Sequence, residues 1–370
     1  MILFALTLRM SWADNWADAL PGQPDRTYNP AMTTSYLNLK PDFDLSARNT
    51  LALKARSRWG AMLEAPDQVP ALFALARERG LPLRILGGGS NVVLSADFAG
   101  ITAVVATTGR VVIKQTEDHV LVEAAAGETW HDFVVWTVEQ GFGGIENLAG
   151  IPGTVGAAPV QNIGAYGAEV ADVFESLVAF DTVDKVLKTF TAADCAFAYR
   201  DSVFKREAGR YVVLSLRLRL PRPWKPNLRF AGLAELAEQP ALDPRTVMDR
   251  VLYLRGSKLP DWRVTPNAGS FFQNPIVSLN EAAPVLAAFP AAPNFPQADG
   301  RTKLSAGWLI EQSGLKGFSM GRAGISERHA LVVVNLGEAD AGDIAALAAR
   351  VKATVKARFG IVLHEEPVFL

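Results

Sequence analysis

Apolar positions alternate along this chain between two periods. Residues 66–80 carry Val69, Leu72, Leu75 and Ala76 on one helical face, with Asp67 placed to cap the start and Gly80 to close the end. Short β-branched and apolar runs at 103–106, 111–114 and 120–124 predict strands, and residues 129–140 predict a helix stopped by Gly141. Strands follow at 177–180, 186–190 and 212–220. The proline cluster 221–226, PRPWKP, reads as a stiff connector and the boundary between two α+β units. Beyond it, Asp243 and Pro244 open a helix with an N-cap and a proline at the first position, and Val247, Val251 and Leu254 form its buried stripe. The pattern then predicts a strand and turn at 267–275, a helix at 303–313, a buried strand at 329–335 and a long amphipathic helix at 339–358 closed by Gly360. A last strand carries residues 363–369.

Two stretches fit neither period. Residues 147–167 read NLAGIPGTVGAAPVQNIGAYG, with five glycines and no charged residue. Glycine permits positive φ and close approach of another group to the backbone. Such a run suits a diphosphate held by peptide N–H dipoles without lysine or arginine. Gln161, Asn162 and Tyr166 add polar side chains. The second stretch, LRILGGGSNVVL at 83–94, passes from strand through Gly87, Gly88, Gly89, Ser90 and Asn91 into strand. It lacks the Gly-Lys-Ser/Thr of a Walker loop and the following helix of a dinucleotide fingerprint, yet a glycine turn between strands can also form a nest of N–H groups. Either stretch alone is equally readable as a structural turn.

Composition narrows the class. The 370 residues are 49% hydrophobic and 20% charged, as in soluble globular proteins, and 37 Lys+Arg against 38 Asp+Glu leave a net charge of −1. That balance argues against a nucleic-acid surface as the main role. Cys195 is the single cysteine, so an internal disulfide is excluded, and the four histidines are scattered with no Cys/His cluster for zinc. The apolar start, residues 1–8, is too short to span a bilayer, which takes roughly 20 residues. Residues 1–45 are expected to be a disordered or mis-started extension, with Met32 as an alternative start.

Five motifs in order give the chain a family. GGGSN (87–91), GIENLAGIPGTVGAAPVQNIGAYG (144–167), YRDSVFK (199–205), NAGSFFQNP (267–275) and KLSAGWLIEQSGLKG (303–317) together resemble the UDP-N-acetylenolpyruvoylglucosamine reductases, in their enterobacterial-like subtype. The resemblance implies an α+β fold. A two-subdomain FAD-binding domain of the vanillyl-alcohol-oxidase/PCMH type (46–222) would precede an α+β substrate-binding domain (223–370), whose last strand returns to the active site. It implies non-covalent FAD, NADPH as co-substrate, UDP-N-acetylglucosamine enolpyruvate as substrate, and a cytoplasmic monomer with no metal, nucleic-acid or membrane partner.

The resemblance also assigns residues. Arg200 of YRDSVFK is the active-site arginine, and a guanidinium is well suited to grip a carboxylate bidentately. Ser270 of NAGSFF is the proton donor; no adjacent histidine or Gly-x-Ser-x-Gly makes it a nucleophile. The active-site glutamate maps to Glu366, with Glu365 as the competing position because the order here is Leu-His-Glu-Glu-Pro. The cofactor would lie against Gly87, Gly88, Gly89, Ser90, Asn91, Ile151, Pro152, Gly153, Gly156, Ala157, Gln161, Ile163, Ala165 and Arg255. The substrate would meet Tyr166, Lys258, Asn274, Lys303 and His329. Where the subtype carries a lid tyrosine, this chain has Arg229 and Phe230. Either Arg229 takes the phosphate contact or Phe230 stacks as a lid. An oxidase of the same fold would not need Lys258, Asn274 and Ser270 together. A non-catalytic nucleotide-binding module would have no use for Arg200, Ser270 and Glu366.

Overall fold

A computed structural model describes residues 26–27, 36–95 and 97–370. Two sheets build the first half. Lys40–Asp44, Arg56–Leu63, Phe98–Val105 and Leu83–Leu86 lie side by side in that order, the last three strands parallel. The helix Gln68–Glu78 supplies the crossover and buries Val69, Leu72 and Ala76. Asp67 makes no cap bond; the Gln68 side chain instead accepts from the N–H groups of Glu64 (2.7 Å) and Ala65 (3.0 Å).

The second sheet is antiparallel and six-stranded. It runs Arg26–Thr27, Val186–Phe190, Phe174–Asp181, Tyr211–Pro221, His119–Ala125, Arg110–Gln115. The helix Trp130–Glu139 buries Trp130, Phe133, Val134 and Val138 and hands the chain to the glycine-rich stretch.

The expected N-terminal extension is shorter at its inner end than residue 45. Lys40–Asp44 pairs with Arg56–Gly60, Leu45 is fully buried, and Gln68 Nε2 donates to the Tyr36 carbonyl at 2.8 Å. Residues 1–25 and 28–35, including Met32, lie outside the described residues.

The boundary also moves. Residues 223–259 were expected to open the second unit. The helix Pro244–Lys258, capped by Asp243 accepting from the Thr246 N–H at 2.7 Å, instead sends Val247, Met248, Val251 and Leu254 into the first core. The second core begins with Ala268 and Phe271 and recruits Leu51, Leu53 and Val93 from the first half. There, the strands Asn267–Ser270, Val332–Asn335, Ala323–Ile325 and Ser319–Met320 form an antiparallel sheet. The helix Ala341–Phe359 packs on it through Ile344, Leu347, Val351 and Val355, and Gly360 closes that helix at φ 72°. Lys303 lies in the strand Thr302–Leu304, not in a helix; Ser305 caps the helix Ala306–Gln312 that follows. His329 sits in the turn before its strand. The chain ends by laying Val368–Phe369 parallel to Val92–Val93, beside the GGGSN turn. No described helix is long and apolar enough to cross a membrane.

Candidate active site

The two glycine stretches meet back to back. A Cβ on Gly88 would stand 2.9 Å from Gly153 Cα, so only glycine allows this approach. Ser90 Oγ donates to the Pro152 carbonyl at 3.1 Å, and Asn91 Nδ2 donates to Gln161 Oε1 at 2.9 Å. The N–H groups of Gly88, Gly89, Ser90, Ile151 and Gly153 have no acceptor among the described residues. A cradle of unused N–H donors fits the diphosphate of a dinucleotide. Gly156 does not contribute a donor: its N–H is bound to the Ala126 carbonyl at 2.8 Å, and that of Ile163 to Ala158 at 3.0 Å. Gly156 is there for packing, since a Cβ would lie 2.5 Å from Ala126 Cβ. Ile151, Ile163 and Ala165 are half-buried apolar walls, and Ala157 stands beside Gly87.

Arg255 crosses over this loop from its helix. Burial lowers its pKa, and the neighbouring Tyr166 phenol works the other way; burial in turn raises the Tyr166 pKa. Sequence reasoning passed over His131, whose Nδ1 accepts the Gly150 N–H at 3.1 Å.

Across the cleft the predicted catalytic residues come together from distant segments. Arg200 Nη2 donates to the Gly164 carbonyl at 2.6 Å, and Nε lies 3.5 Å from Glu366 Oε1. Gly164 packs tightly here: a Cβ would stand 3.1 Å from Arg200 Nη1 and 2.8 Å from Glu169 Cγ, so a side chain at this position would press on both. Gln161 Nε2 donates to Glu366 Oε1 at 3.1 Å, and Asn91 Nδ2 to the Glu366 carbonyl at 3.2 Å. Of the neighbouring carboxylates, Glu366 meets Arg200, whereas Glu365 lies 2.5 Å from Lys352 Nζ. Burial raises the Glu366 pKa, opposed by Arg200, then Lys205, then the Gln161 hydrogen bond.

Ser270 is brought to the same edge by backbone pairing. Phe271, its neighbour, accepts the Glu366 N–H at 2.8 Å. A register shift at Gly269, φ 70°, re-aims the strand at this point. Ser270 Oγ has no partner among the described residues and remains available to a ligand.

The remaining predicted residues line the cleft. Lys303 Nζ lies 4.6 Å from the Tyr199 ring centroid, and the N–H groups of Asn274 face the Tyr199 phenol. Asn274 Oδ1 accepts the Ala306 N–H at 2.9 Å, which fixes its amide. Tyr166 and Phe230 pack edge to face at 4.9 Å, with Lys258 Nζ 5.4 Å from the Phe230 centroid. Arg229 is exposed. His329 Nδ1 accepts the Leu331 N–H at 3.2 Å, which leaves the proton on Nε2 as a donor. Burial, then Lys258 and Lys316, lower the His329 pKa and favour the neutral ring.

Known proteins resemble this chain in sequence and fold. A family model described as UDP-N-acetylenolpyruvoylglucosamine reductase, C-terminal domain, matches residues 260–370, and one described as FAD binding domain matches residues 61–189. The chain is 50% identical over 341 residues to the UDP-N-acetylenolpyruvoylglucosamine reductase of Azoarcus sp. (strain BH72), covering 90% of this chain and 98% of that one. It is 46% identical over 342 residues to that of Burkholderia multivorans, covering 91% and 98%. The crystal structure of the reductase MurB from Thermus caldophilus superposes with a TM-score of 0.61 at 24% identity, over 90% of this chain and all of that one, a likeness of fold. With half its residues shared across nearly the full length of such a relative, the chain belongs to the UDP-N-acetylenolpyruvoylglucosamine reductase family.

Proposed function

We propose that this protein reduces the enolpyruvyl ether of UDP-N-acetylglucosamine enolpyruvate to the lactyl ether of UDP-N-acetylmuramate, with NADPH as reductant, in peptidoglycan precursor synthesis. The observation that carries the residue assignments is the Arg200–Glu366 pair, set beside the strand of Ser270. FAD bound on the glycine cradle supplies a hydride carrier between NADPH and C3 of the enolpyruvyl group.

The protein's own task is to receive the charge that appears when C3 gains hydride. Negative charge then spreads over C2 and the carboxylate. Arg200 binds that carboxylate with its fork. Doing so draws the guanidinium from Glu366, whose buried carboxyl then takes up a proton and donates it as a hydrogen bond to the developing charge. Ser270 delivers the proton to C2, which completes the addition across the double bond. Asn274, Lys303 and Lys258, together with the neutral His329 Nε2–H, line the path for the diphosphate, and Tyr166 and Phe230 close over it.

The need for NADPH supports a cytoplasmic enzyme. An oxidase of the same fold has no use for a proton donor facing an Arg–Glu pair. Anaerobic addition of NADPH should bleach the yellow holoenzyme, and the enolpyruvyl sugar nucleotide should restore the colour without oxygen. Colour that returns only with air would overturn this reading.

A further inference from the structure

Arg200 stands in a left-handed backbone conformation, φ 54°. A residue bearing a Cβ occupies that region at a free-energy cost, so neighbouring contacts must hold it there. Two are present. Ser202 Oγ donates to the Val160 carbonyl at 2.6 Å, tying the turn to the glycine-rich stretch. Lys205 Nζ reaches back from the short helix Val203–Arg206 and donates to the Arg200 carbonyl at 2.9 Å.

Lys205 is otherwise oddly placed. It is half-buried, yet no carboxylate lies within ion-pair distance among the described residues. The acidic group that feels its charge is Glu366.

We propose that Lys205 is a positioning residue for the reduction: its ammonium locks the left-handed turn that holds Arg200 against the Gly164 carbonyl and Glu366. The inference rests on the reading that Arg200 and Glu366 act on the substrate. The groups in contact with Glu366 are Arg200 at 3.5 Å and the Gln161 amide at 3.1 Å; Lys205 and the half-buried Tyr199 phenol interact with it only electrostatically. Glu169 faces Arg200 from the other side at 4.0 Å and is itself held by Asn162 Nδ2 at 2.8 Å. Glu365 and Lys352 satisfy each other.

The test uses the flavin-loaded full chain and separates the two half-reactions by stopped flow. Lys205→Met should leave reduction by NADPH near normal and slow reoxidation by the enolpyruvyl substrate by roughly 10–10²-fold, the scale of a small misplacement of a reacting group. It should also weaken equilibrium binding of UDP-N-acetylmuramate, measured by calorimetry. With the turn loosened, Arg200 no longer stands firmly beside Glu366 to oppose the upward push of burial, so the alkaline fall in the reoxidation rate should move to higher pH. Lys205→Arg should restore both rate and profile. Lys205→Gln keeps a donor without the charge; it should lose less rate and displace the profile less, and it serves if the methionine variant fails to load flavin. A reoxidation rate within twofold of normal, or a slowed rate with an unmoved pH profile in both Met and Gln variants, would overturn the proposal. Arg200→Ala is the control. If it reoxidises normally, the reading beneath the proposal is at fault; if it is slow while Lys205→Met is normal, only the role of Lys205 falls.

Discussion

Arg200 Nε and Glu366 Oε1 stand 3.5 Å apart, joining the six-stranded half of the molecule to its last few residues. Both side chains are largely withdrawn from water, 17% and 13% exposed. Burial pushes the Glu366 carboxyl upward, and Arg200 is the main force holding it down. A substrate carboxylate that claims the guanidinium removes that force, so the proposed acid is made by the act of binding. Glu366→Gln, which keeps a hydrogen-bond donor, should retain activity within about tenfold and lose the alkaline fall in kcat. Glu366→Ala should lose roughly 10²–10³-fold, as when one donor to a developing oxyanion is removed. Equal loss in both variants, measured as pH profiles of kcat, would mean that the ionised form is the one required.

Phe230 should act as a lid by its ring alone. Its edge-to-face contact with Tyr166 and the Lys258 ammonium above it contribute roughly 0.5–1.5 and 0.5–1 kcal/mol. Phe230→Ala should therefore raise KM by about tenfold with little change in kcat, and Phe230→Tyr should be tolerated. Steady-state KM values for Arg229→Ala supply the check: a larger effect there places the phosphate contact on the exposed arginine.

The inner limit of the N-terminal segment can be tested by shortening. A chain starting at Met32 keeps the strand Lys40–Asp44 and the Tyr36–Gln68 bond and, among the described residues, gives up only the short pairing of Arg26–Thr27. It should keep full flavin content and melt within a few degrees of the parent. A chain starting at Ala47 discards Phe43 and Leu45, each worth about 1.5–3 kcal/mol of burial, and should melt well below it. Similar thermal curves for the two shortened chains would contradict the strand's role.

Much of this was legible in the sequence because the local chemistry is explicit. Gly88 and Gly153 announce a close approach, Asp243-Pro244 a helix start, and Gly360 a helix end. What escaped was decided by partners far along the chain. The stripe on Pro244–Lys258 shows that the helix buries a face but not that it buries it in the first core. Lys303 was read into a helix because apolar residues follow it, whereas Ser305 Oγ accepts the Trp308 N–H at 3.2 Å and starts the helix later. The sequence leaves Glu365 and Glu366 as alternatives because their side-chain partners, Lys352 for Glu365 and Arg200 for Glu366, lie on distant segments. Lys205 sat in a quoted motif without a role, since its meaning depends on the backbone angle of Arg200.

Ser270 carries the most direct test of the account. Proton delivery to C2 is needed only after hydride has left NADPH. Ser270→Ala should accordingly accept reducing equivalents from NADPH at nearly the normal rate, while its reoxidation by the enolpyruvyl substrate falls by roughly 10²–10⁴-fold, the range of general acid catalysis. Ser270→Cys should recover part of that loss, because a thiol can also give up a proton. Stopped-flow absorbance of the two half-reactions measures both. Selective loss of the second step is the predicted result; equal slowing of both steps, or a second step at nearly normal rate, would contradict it.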